Sequence, residues 1–73
     1  MRIDSLTNPR HYATLTDDPD GIAVAFWRLT GRGDGPLGSA PPLARRLRAE
    51  TLDIPWHLAL DRTHEVLQQI EED

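Results

Sequence analysis

The sequence predicts a mainly α-helical domain of three helices, at about 19–30, 41–52 and 54–71, behind a short N-terminal arm or turn. Two observations carry that expectation. Apolar residues recur at helical spacing in all three stretches, and a proline stands near the start of each: Pro19, the Pro41–Pro42 pair and Pro55. The alternative is an α+β fold in which an N-terminal β-hairpin, strands 11–16 and 22–30, packs on a C-terminal helical hairpin.

The stretch from Asp18 to Gly31 decides between the two. Read as a helix, it has Asp18 at the cap, Pro19 at the first helical position, Asp20 at the positive end of the dipole and Gly31 as terminator. Ile22, Ala25, Phe26 and Leu29 match the i, i+3, i+4, i+7 template at every place. Read as a strand, Asp18-Pro19-Asp20-Gly21 becomes a hairpin turn, and Ile22, Val24, Phe26 and Trp27 suit a sheet. The complete helical match and the two central alanines favour the helix. Asn8-Pro9 then caps a short helical turn through Leu15, or starts a first strand under the rival reading.

Residues 32–39 hold three glycines and a proline and form a loop between an N-terminal half, 1–31, and a helical hairpin, 40–73. Neither half could bury a core alone, so one domain is expected. Ser39 starts the next helix, where Leu43, Leu47 and Thr51 recur at intervals of four beside Ala40 and Ala44. Asp53 caps the last helix with Pro55 in its first turn. Trp56, Ala59, Leu60, Thr63, Val66, Leu67 and Ile70 share one face of it.

Composition removes whole classes of chemistry. The 73 residues include no cysteine, hence no disulfide, thiol nucleophile or thiolate metal site. All eight cations are arginines, so lysine-dependent chemistry is absent. Leu, Ile, Val and Phe make up 17 of the 73 residues, enough for a folded chain. No apolar run approaches the ~20 residues that span a bilayer, and the N-terminus lacks a signal-peptide core. An intracellular, cytoplasmic protein without a cofactor is expected.

The net charge of −4 opposes a general grip on nucleic acid. Its distribution is uneven. Residues 36–52 carry three arginines against Glu50, whereas residues 53–73 carry six carboxylates against Arg62.

Several constellations invite functional readings. His57, Asp61 and His64 lie on one stripe of the last helix, but i to i+7 spans about 10 Å, too far for both imidazoles to ligate one ion. They are weak metal candidates on a solvated face. Ser5 and Ser39 with His11, His57 and His64 lack the elbow and glycine turn of a nucleophilic site, so no enzyme is expected. Asp4-Ser5-Leu6 resembles a carrier-protein attachment tripeptide but has no helix before it. Thr16-Asp17-Asp18-Pro19-Asp20-Gly21 resembles the start of a calcium loop, yet Trp27 stands where its Glu should be. Arg32-Gly33-Asp34, an integrin-type tripeptide, is a chance match.

Protein recognition is the function the residues favour. On a helix over 19–30, Val24 and Trp27 emerge opposite the core face with Arg28 next in sequence, the composition of an interface anchor. Asp61, Glu65, Glu71 and Glu72 add acidic contact surface. A chain this short without disulfides gains stability by association, with another protein or with itself. The expected role is therefore a non-catalytic inhibitor, adaptor or small structural subunit, of a kind encoded by phages and mobile elements. The alternative is a helix-turn-helix-like nucleic-acid regulator using Arg45, Arg46 and Arg48.

Overall fold

A computed structural model describes residues 1–19, 21–38 and 40–71. Its elements are β1 (Arg2–Asp4), β2 (His11–Asp18), β3 (Gly21–Arg28), β4 (Gly35–Pro36), α1 (Ala40–Glu50) and α2 (Trp56–Gln69). The four strands form one antiparallel sheet in the order β1-β2-β3-β4. Both helices cover one face, α1 along β3 and α2 against β2. The architecture is a two-layer α+β fold.

The expected helix at 19–30 is therefore overturned, and with it the description of a small helical protein. Residues 21–28 form β3 and pair with β2 as the alternative reading had it, the strands running to Asp18 and from Gly21 to Arg28. The physical reason lies in a coincidence of spacing: Ile22 and Phe26 are four apart, which puts them on one face in a helix and equally in a strand. The partner strand breaks the tie. His11, Ala13 and Leu15 are buried on the helix side while Thr14 and Thr16 face solvent, an alternation only a sheet uses.

Pairing runs without a slip from His11↔Arg28 through Ala13↔Phe26 and Leu15↔Val24 to Asp18↔Gly21. Gly21 has φ +108°, and a Cβ there would stand 2.8 Å from the carbonyl oxygen of Arg48 on α1. Glycine thus permits both the hairpin end and its close approach to the helix. The Arg48 guanidinium adds an ion pair to Asp18 at 3.4 Å.

β1 and β4 were not foreseen in the sequence. β1 pairs with β2 through Ile3↔Ala13, burying Ile3 in the core. β4 lies within the glycine-rich loop, and Leu37 after it donates its N–H to the Phe26 carbonyl at 3.2 Å while its side chain is fully buried.

The C-terminal helices stand close to their expected positions. α1 starts and ends slightly earlier than 41–52, and α2 is shorter at both ends than 54–71. Pro55 is the cap of α2 rather than a first-turn residue, its carbonyl accepting from the N–H groups of Leu58 and Ala59. The anticipated stripe is buried at Ala59, Thr63, Val66, Leu67 and Ile70, with Trp56 and Leu60 packed beside it. Threonine is tolerated there because Thr63 Oγ1 donates to the Ala59 carbonyl at 2.8 Å; Thr51 does the same to Leu47 at 2.6 Å.

Candidate protein-binding surface

Because both helices lie on one face of the sheet, the opposite face is left to solvent. Register puts Arg2, Asp4, Tyr12, Thr14, Thr16, Ala23, Ala25 and Trp27 on it. Tyr12 and Trp27 are directly opposed and stack, with ring centroids 6.4 Å apart and an interplanar angle of 18°. The Arg2 guanidinium carbon lies 3.9 Å from the Tyr12 ring centroid. Trp27 Nε1 donates to Thr14 Oγ1 at 2.9 Å, and the Tyr12 hydroxyl donates to Asp34.

That hydrogen bond holds the Tyr12 phenol above its ordinary value near 10, with burial and the Asp34 charge acting in the same direction and Arg2 against them. The aromatic pair is held by its stacking, by the Arg2 contact and by one side-chain hydrogen bond from each ring. Trp27 is a half-buried ring on a sheet face it shares with Tyr12, two alanines, two threonines and the charged Arg2 and Asp4.

The second feature is the outer edge of β3. β4 pairs only with Trp27 and Arg28, and Leu37 adds one bond to Phe26. In an antiparallel ladder, successive residues point their backbone groups to alternate sides. Phe26 faces β4, so Val24 and Ile22 face the same way, beyond the reach of β4. Their N–H and C=O groups meet no partner among the described residues.

Between this edge and α1 run two adjoining hollows. One, of about 230 Å³, is walled by Val24, Phe26, Trp27, Pro36, Pro41 and Ala44. The next, of about 220 Å³, is walled by Ile22, Ala23, Val24, Ala44, Arg45 and Arg48. The groove is apolar at the Trp27 end and cationic at the other.

The expected site residues thus fall into separate places. Trp27 and Val24 occupy opposite faces of the sheet, because their odd separation inverts between helix and strand; only the edge groove touches both. Arg28 is half-buried opposite His11. Asp61, Glu65 and Glu71 are exposed on or after α2, Glu65 paired with Arg62 at 3.2 Å, and Glu72 lies outside the described residues. Arg45 and Arg48 line the β3 groove, while Arg46 lines a different hollow between the helices with Glu50, Arg62 and Glu71.

His57 and Asp61 are exposed and His64 half-buried; among the described residues no group of three metal-ligating side chains converges. Ser5 is buried with its hydroxyl bonded to Gln68 and to the N–H groups of Thr7 and Asn8, and Ser39 lies outside the described residues, as does Asp20.

Tyr12, Thr14, Arg2 and Asp34 were not singled out in the sequence. Alternation along His11–Thr16 was the available signal, and Asp34, set aside within a chance tripeptide, turns out to orient the aromatic pair. No helix among the described residues is long and apolar enough to cross a membrane. No family model, no curated protein and no solved structure matches this chain.

Proposed function

We propose that the chain is a small non-catalytic protein-binding module, an inhibitor, adaptor or structural subunit, whose contact surface centres on Trp27. The observation that carries this reading is the preorganised aromatic pair on the solvent face of the sheet. A ring held by stacking and by its own N–H bond loses little freedom on binding, which is the property that makes tryptophan an interface anchor. The unpaired β3 edge beside it offers backbone contacts to the same partner. The three arginines of α1 diverge to two sides of the helix, which weighs toward protein and away from a phosphate backbone as the partner.

Affinity capture from the native host, read by mass spectrometry and repeated with Trp27→Ala, tests this. A specific protein partner retained by the wild-type chain should bind the variant about tenfold or more weakly. Binding to the wild type and the variant alike would remove Trp27 from the site. Capture of nucleic acid lost steeply with salt would replace the reading by an Arg45, Arg46 and Arg48 contact.

A further inference from the structure

The groove beside β3 has the attributes of a strand acceptor. We infer that it takes an extended, acidic segment of a partner protein as an added β-strand next to Ile22–Val24, an inference that rests on the protein-binding reading above. Three observations converge on that occupant. The backbone groups of Ile22 and Val24 point outward with no described partner, and an extended chain alone can match their spacing. The apolar hollow at Val24, Phe26, Pro41 and Ala44 lies where one side chain of the incoming strand would point toward α1. The adjoining hollow shares Val24 and Ala44 with it, reaches Ile22 two residues along β3, and is walled by Arg45 and Arg48.

A strand has period two, so its recognition pattern on the helix side is an aliphatic residue with a carboxylate two positions away. Charge selects this occupant over a second copy of the chain. Arg45 has no ion-pair partner among the described residues, and Arg48 shares only Asp18. Two copies joined edge to edge through β3 would bring both Arg45 and Arg48 pairs against the shared axis, where like charges repel. An acidic strand neutralises them instead.

The test uses the whole chain labelled with nitrogen-15 and a blocked probe peptide, Thr-Glu-Thr-Val-Thr-Glu-Thr, with a Lys-for-Glu version as control. Amide exchange is read residue by residue. In the free protein, Ile22 and Val24 should exchange quickly, whereas Ala23 and Ala25, bonded across to β2, should exchange slowly. The acidic peptide should slow Ile22 and Val24 by about tenfold or more, and the Lys peptide should not. Arg45→Glu should abolish that difference between the peptides.

Failure has distinct forms. Protection of Ile22 and Val24 that rises with protein concentration alone would assign the edge to a second copy. Absence of protection at saturating acidic peptide, or binding of the peptide without it, would overturn the inference. Val24→Pro separates this inference from the broader reading, since its missing N–H faces the edge and not the β2 ladder; Val24→Ala, which keeps the N–H, controls for the lost side chain. A captured partner that Trp27→Ala loses and Val24→Pro keeps would leave the module reading standing and the strand-acceptor inference refuted. A chain that captures no partner protein would refute the module reading, whatever the peptide does.

Discussion

Tyr12 is the only tyrosine in the chain, so its ionisation can be followed by ultraviolet absorbance with no other phenol contributing. The hydrogen bond it donates to Asp34 is lost when the phenol ionises, and the resulting phenolate would face a carboxylate. The titration midpoint should lie above 10, and Asp34→Ala should bring it down toward the ordinary value. The sign for stability follows from linkage: the folded chain holds this proton more tightly than the unfolded one. Its contribution is complete below the unfolded pKa near 10 and disappears as pH rises through the folded one. A midpoint unchanged by Asp34→Ala would remove the carboxylate as the cause. Gly21 offers a second single-residue test. An alanine there must hold a positive φ and meet the Arg48 carbonyl, so Gly21→Ala should destabilise by about 2 kcal/mol or more in chemical denaturation. A loss no larger than that of an exposed surface substitution would mean the hairpin and α1 separate freely.

At the scale of elements, what the sequence revealed depended on whether one period could stand for two. α2 was legible because seven positions over residues 56–70 fit a helix and no strand runs that far. β3 was not, since Ile22 and Phe26 satisfy both periods and Ala25 with Leu29 completed the helical template by composition alone. Nothing within residues 19–30 reports that residues 11–18 form a partner ladder, and that long-range pairing determined the outcome. The error carried directly into the site: Val24 and Trp27 share a helix flank but oppose each other across a strand. The Gln68 carboxamide was illegible for the same reason. Its Oε1 accepts from the N–H groups of Leu6 and Thr7 and from the Ser5 hydroxyl, joining the end of α2 to the β1–β2 turn 61 to 63 residues earlier in the chain. Which loop amides a helix side chain meets is decided by tertiary packing, so a residue that caps them cannot be recognised by type.

For the molecule as a whole, one small core carries the fold. Phe26, Leu37, Leu47 and Leu67 are the large apolar side chains buried to within 2% of complete, and they come from β3, the loop after β4, α1 and α2. Each of these four segments therefore contributes an anchor the others depend on. Leu67→Ala should cost about 2–5 kcal/mol, a large part of the stability a domain of this length has, and the variant should unfold in a single transition by calorimetry with a lowered midpoint. Separate melting of the hairpin and the helices would contradict a shared core. Pro36 has a consequence for assembly. It occupies the outermost strand, whose two residues offer almost no ladder and one of which has no N–H. At the other side of the sheet, β1 is three residues long and presents charged Arg2 and Asp4. The ladder left open on the β4 side is the outer edge of β3 at Ile22 and Val24, where the proposed acidic strand would lie in line with β4. On the strand-acceptor proposal each chain takes one such segment, so light scattering of the chain with the acidic probe peptide should find one-to-one complexes, and growth in mass with peptide concentration would contradict it.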